Sequence, residues 1–178
     1  MSGLRLQTQG DTVLIEHKLD DLASNKAKRV MALAINHTLG KTETQVNRAL
    51  VKQTGLKYGD IKSAMKRLSA SSAKLVGEIQ GKGNYVPLKK FAARQTEKGV
   101  SAAPWNNREV FEHTFFIAIY GGNVFRRLGA KRFPVKKLYG PAIPKEMVKD
   151  EAKAAFEKTV ATELPKRVEH ELSRLLAP

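Results

Sequence analysis

The chain predicts an α+β fold, with a long N-terminal amphipathic helix and C-terminal helices packed on a small antiparallel β-sheet with extended hairpins. Three observations carry that expectation. Apolar residues recur at helical spacing from Leu19 to Thr54. Alternating apolar residues and glycine-bearing turns fill the middle of the chain, and helical spacing returns after Pro144. A chain of 178 residues suits one domain, and no internal repeat or low-complexity linker divides it. Residues 1–178 are therefore read as one domain, with a lead-in at 1–15, N-terminal helices at 19–69, a basic β-region at 73–140 and C-terminal helices at 144–178.

In order, the lead-in holds LRLQ and TVLIE around Gly10-Asp11, the pattern of a short strand. The first helix carries Leu22, Ala27, Met31, Ala34, Ile35, Leu39, Val46 and Leu50 on its apolar face. Asp20 and Asp21 suit the positive pole of its N-terminus, and Gly55 suits its end. Gly40 costs about 1 kcal/mol against alanine inside a helix and permits a bend. A second helix is expected from Gly59-Asp60 to Ser69, with Ile61, Ala64, Met65 and Leu68 on one face.

Ala73–Gln80 alternates as a strand and Gly81–Asn84 turns. After Pro87, two extended pieces meet at Glu97-Lys98-Gly99, with Phe91 as their anchor. The clearest hairpin joins Thr114–Tyr120 to Val124–Leu128 through Gly121-Gly122-Asn123, residues that tolerate positive φ. The last helices are expected at 145–163 and 165–176, because proline suits a first turn but costs about 3 kcal/mol in a helix interior. Val168, Leu172, Leu175 and Leu176 make a stripe that should dock on the long N-terminal helix.

Charge is unevenly spread. The net charge is +15, and residues 82–145 hold 13 basic and 3 acidic side chains, against 13 and 7 in residues 1–81 and 6 and 7 in residues 146–178. Within the middle third, His113–Lys145 carries seven basic side chains and no acid. Phe115, Phe116, Ile117, Ile119, Tyr120, Val124 and Phe125 lie in the same stretch, so the sequence describes a folded cationic module rather than a disordered basic tail. Such a surface attracts phosphates, acidic protein faces or anionic lipids, each contact weakening with salt.

Catalytic chemistry finds little support. Gly40-Lys41-Thr42 matches the end of a phosphate-binding loop, but Ile35 stands where the first glycine belongs. The histidines His17, His37, His113 and His170 occur singly, without metal-ligand spacing. Glu109, Glu112 and His113 read as a solvated turn before a strand rather than an acid–base site. With zero cysteine, disulfides, thiolate metal sites and cysteine nucleophiles are excluded, in keeping with a reducing compartment. No catalytic residue, metal or cofactor is expected. No apolar run is long enough for a membrane span, and the N-terminus lacks a signal-peptide pattern.

For binding, Arg126, Arg127, Lys131, Arg132, Lys136 and Lys137 could neutralise phosphates, with Phe125, Phe133 and Tyr139 interleaved as stacking candidates. Strand alternation points Arg126 and Arg127 to opposite faces, so both cannot line one flat groove. A hairpin solvated on one side and packed on the other explains the same residues. No helix-turn-helix, zinc finger or RNA-binding sheet signature is present, which argues against sequence-specific readout.

Several segments resemble one family. Met31–Leu39, the following Thr44, Gln45 and Val46, and the short helix around Ile61–Leu68 are similar to the N-terminal half of the tailed-phage minor tail protein Z family, the tail completion proteins. LKKFAARQTEKGVSA at 88–102, VFRRLG at 124–129 and KKLYGPAIPKEM at 136–147 are similar to its central β-region and the junction into its last helix. Together they span nearly the whole chain, in matching order and spacing.

The resemblance implies a non-enzymatic virion protein acting late in tail assembly, at the head-proximal end of the tail, with host cytoplasm as its place of assembly. Expected partners are the tail terminator and tail tube, with copies of the chain in a homo-oligomeric ring around the DNA channel. The stretch 126–137 would face DNA or an acidic neighbour, and Gly140, Pro141 and Pro144 would form a rigid corner between sheet and final helix. A non-specific DNA-binding architectural protein is the alternative reading.

Overall fold

The computed structural model describes residues 3–6 and 25–176, and the side chains of 26–175. Its frame is a pair of long helices, α1 (Asn25–Thr54) and α4 (Asp150–Leu176). They run antiparallel: Met31 and Ala34 pack on Val168, Lys41 meets Glu163, and Gln53 meets Ala152. The expected docking of the C-terminal stripe on the first helix is what Val168 and Leu172 do. Helix α1 is continuous through Gly40, where a Cβ would lie 2.9 Å from Nη1 of Arg67. The segment from Leu19 to Ser24, including Asp20 and Asp21, and the TVLIE part of the lead-in lie outside the described residues.

Helix α2 (Tyr58–Ala64) is followed without a break by strand β2 (Met65–Leu68). The expectation of a helix running to Ser69 is thus corrected. Seven residues of helix are marginal alone, and the next four gain a full antiparallel ladder on β3 (Gly77–Gly81), from Met65↔Gly81 to Leu68↔Glu78. β1 (Gly3–Leu6) pairs on the other side of β3, giving the order β1-β3-β2. Asn36, in mid-α1, fastens the loop beyond β2, donating to the carbonyl of Ala70 at 2.9 Å and accepting its N–H at 2.7 Å.

The middle of the chain forms three further small antiparallel sheets. β4 (Tyr85–Pro87) pairs with β11 (Tyr139–Ala142). β5 (Arg94–Thr96), β6 (Gly99–Ala102) and β7 (Glu109–Glu112) are neighbours in that order, and the turn between β5 and β6 falls at Glu97-Lys98. β8 (Thr114–Ile117), β9 (Asn123–Arg127) and β10 (Val135–Lys137) make the fourth; it holds the predicted hairpin with Gly121 and Gly122 at φ +69° and +62°, but Ala118–Tyr120, expected in the first strand, form a 3-10 turn, and Asn123 belongs to β9. Glu109 and Glu112, expected in a solvated turn, are exposed residues of strand β7, and His113 makes the corner to β8 at φ +58°.

After β11 come α3 (Ile143–Glu146), with Pro144 in its first turn, and then α4. The expected break at Pro165 is absent: α4 runs through it. Pro165 and Ala161, whose carbonyl loses its helical donor, are both exposed, so the interruption falls on the solvent side of the helix, where it costs least. Leu39, Val46, Leu50, Ile61, Ile79, Phe91, Val100, Val124, Ile143, Met147 and Phe156 form one buried cluster drawn from helices and strands alike. Phe91, the expected anchor, is fully buried within it.

Candidate functional site

The cationic residues of the middle third are organised by the register of β8, β9 and β10. Thr114 stands opposite Arg126, and Arg126 opposite Lys136; Phe115 stands opposite Phe125, and Phe125 opposite Lys137; Arg127 stands opposite Val135. Residues opposite one another share a face, and residues one apart do not. One face therefore carries Phe116, Val124, Thr114, Arg126 and Lys136. The other carries Phe115, Ile117, Phe125, Arg127, Val135 and Lys137.

The first face is the inner one. Phe116 and Val124 pack into the main core, together with Leu138 just beyond β10. Past that anchor the sheet overhangs, and residues 126–134 are exposed throughout. Lys131 and Arg132 lie in this overhanging loop, with Arg132 5.8 Å from the ring centroid of Phe133. At the opposite end Lys89 donates to the carbonyl of Gly121 at 2.6 Å, tying down the β8–β9 turn.

A groove of about 860 Å³ runs beside the overhang, lined by Lys98, Glu112, His113, Thr114, Arg126 and Arg127 among others. Arg126 and Arg127 occupy opposite faces of the ladder, as alternation requires, yet both border this groove. It is not flat: it passes the end of β9, where Leu128, Gly129 and Ala130 also line it. Thr114 sets its other wall, accepting the N–H of Val100 at 2.9 Å and so holding β6 against β8. Lys98 and His113 are cations or potential cations that sequence reading did not add to the patch. Their turn and corner are legible, but their nearness to β9 depends on that Thr114 contact.

Among the described residues, none of Arg126, Arg127, Lys131, Arg132, Lys136 and Lys137 has a carboxylate within 4.0 Å; the ion pairs lie elsewhere. Arg126 and Lys136 are even placed directly opposite each other, a like-charge pairing that disfavours the sheet. The stacking candidates divide. Phe125 is 8% exposed, whereas Phe133 and Tyr139 are 57% and 51% exposed.

Gly140 and Pro141 lie inside β11, buried, and Pro144 in the first turn of α3. Gly140 packs against the ring of Phe91. The β11–β4 ladder is irregular between Tyr139 and Ala142, where Pro141 offers no N–H. Beyond the patch, Lys145 donates to the hydroxyl of Tyr85 at 2.6 Å and sits 4.7 Å from its ring centroid. On the two long helices, the hydrogen bond from Lys41 holds the carboxyl of Glu163 below its ordinary range, while desolvation, then the charges of Arg167 and Lys41, lower His37. Among the described residues no cluster of His, Asp or Glu could hold a metal ion, and no helix is long and apolar enough to cross a membrane.

The model of the prophage minor tail protein Z family matches residues 14–177. No curated protein and no solved structure matches the chain. The match takes in both long helices and every strand from β2 to β11, so the chain belongs to the prophage minor tail protein Z family and has a structural role in the phage tail.

Proposed function

We propose that this protein completes the head-proximal end of the tail, as a subunit of a homo-oligomeric ring around the DNA channel, so that the tail can join the head. The observation that carries this reading is a cationic module whose Arg126, Arg127, Lys131, Arg132, Lys136 and Lys137 have no carboxylate within 4.0 Å among the described residues, on a scaffold whose family is a tail component. Exposed unpaired cations lower the free energy of a complex only when an anion supplies the missing charge. The overhang at 126–134 presents them beyond the core-packed part of the sheet. DNA phosphates are the favoured partner, and an acidic face of the tail terminator or tail tube is the other. Gly140, Pro141 and Pro144 act as the corner that holds the overhanging sheet against α3.

The decisive experiment adds the purified protein to tails that lack it, at low and high salt, and scores incorporation and head joining. Incorporation that survives high salt is expected, since ring contacts bury apolar surface. Reversing charge at Arg126, Arg127, Lys131 and Arg132 should leave folding intact and impair joining or DNA retention; unchanged joining and retention would remove the patch from the mechanism.

A second reading, a non-specific DNA-binding architectural protein, is favoured by the same unpaired cations. It predicts a monomer that ignores tails and binds any duplex, with log affinity falling against log salt at a slope of about −5 for six phosphate contacts.

A further inference from the structure

We propose that the outward face of the β8–β9–β10 sheet is a stacking platform for single-stranded nucleic acid. The proposal rests on the reading that the cationic region meets DNA, and it names the form of DNA that this face takes.

The face turned away from the core carries Phe115, Phe125, Arg127 and Lys137. Phe125 is buried, at 8% exposed, with the ring centroid of Tyr120 5.7 Å from its own, so it underlies this face and the rings within reach of a ligand are its neighbours. The strand continues past β10. Leu138 donates to the carbonyl of Val124 at 2.9 Å and accepts the N–H of Leu88 at 3.1 Å, so β10 and β11 form one extended run. Tyr139, two residues after Lys137, extends the same face.

Two cation–ring pairs lie on it. The Arg127 guanidinium is 5.2 Å from the centroid of Phe115, and the Lys137 ammonium is 5.3 Å from that of Tyr139. Neither cation has a carboxylate partner among the described residues. Rings interleaved with cations on a partly exposed antiparallel sheet match what an unstacked strand offers: a π-face from each base and one phosphate per nucleotide. An incoming base can take the cation's place over the ring, while the freed cation turns to the adjoining phosphate. A duplex offers this face only phosphates, because its bases are already stacked. The inner-side pair, Arg126 with Lys136, has no aromatic residue opposite it in the ladder and suits phosphate contact of either kind.

The test uses the full chain and fluorescence anisotropy, with labelled oligothymidine of about 16 nucleotides and a duplex of equal length, across a salt series. Wild type should bind the single strand more tightly at every salt concentration. Tyr139→Leu and Phe115→Leu should each lower single-strand affinity about tenfold and leave duplex affinity unchanged. Two separate rings are tested because Phe115 is partly buried, whereas Tyr139 is exposed; a melting curve of each variant establishes folding. Lys136→Gln should weaken both ligands by the same factor. Equal binding of both forms by wild type, or single-strand affinity indifferent to loss of Tyr139, overturns the platform while leaving the phosphate-contact reading standing. No binding to either form overturns both.

Discussion

The ring of Phe91 leaves no room for a side chain at Gly140: a Cβ there would come within 2.5 Å of Cε2 and 2.8 Å of Cζ. Phe91 is fully buried, so the ring has nowhere to withdraw. Gly140→Ala should therefore destabilise the protein by about 1–3 kcal/mol through overpacking. Phe91→Leu should recover part of that loss in the double variant, a coupling that urea denaturation of the four-member cycle measures directly.

Asn36 does for the loop after β2 what a strand partner does for a backbone, meeting both the N–H and the carbonyl of Ala70. Asn36→Ala leaves two part-buried backbone groups unpaired and should cost about 1–3 kcal/mol. Faster amide exchange at Ala70, read by hydrogen-exchange mass spectrometry, is the local signature expected.

Pro165 sits exposed inside α4. Replacing it with alanine restores a helical donor for the carbonyl of Ala161 and removes a poor helix former, so Pro165→Ala should raise stability, by about 1–3 kcal/mol. Unchanged or lower stability in thermal melts would show that the proline geometry is required where α4 meets α1.

Arg126 and Lys136 oppose each other across the β9–β10 ladder. Lys136→Glu converts repulsion into attraction and should stabilise the fold by about 0.2–1 kcal/mol. The same change should weaken binding of any anionic partner. Opposite signs in a denaturation curve and a binding assay would mark a position where charge serves function at the expense of the sheet.

His37 and Glu163 both titrate below their ordinary values. A depressed pKa means that the unfolded chain takes up the proton first, so the associated stability is present at high pH and lost on acidification. The melting temperature should fall as pH drops below 6.5, the ordinary histidine value, and fall again within the carboxylate range as Glu163 releases Lys41. His37→Gln should remove the upper step and Glu163→Gln the lower one in a pH series of thermal melts.

Much of this architecture is legible in the residues. The helical spacing from Met31 to Leu50 and the Val168–Leu172 stripe require a partner surface, and each helix is the other's partner. Gly121-Gly122 marks the hairpin because positive φ is cheap only for glycine there. The cationic character of residues 126–137 is a count of side chains and needs no structure. What pattern alone misread were local competitions settled by distant neighbours. Met65–Leu68 is helical by spacing, but β3 offers it a ladder. Pro165 is a helix breaker by propensity, but the packing of α4 on α1 carries the helix past it.

The sequence by itself determined the α+β class, the docking of the C-terminal stripe on the first long helix, the principal hairpin and the concentration of positive charge in the middle third. All of these follow from periodicity and composition, which act within a few residues. Tertiary structure alone decided that Arg126 and Lys136 share the inner face while Arg127, Lys137 and Phe115 share the outer one, that Lys98 and His113 reach the same groove, and that Gly140 is held by Phe91. Those relationships depend on strand register and on contacts between segments far apart in the chain, where a shift of one residue would turn every side chain to the other face.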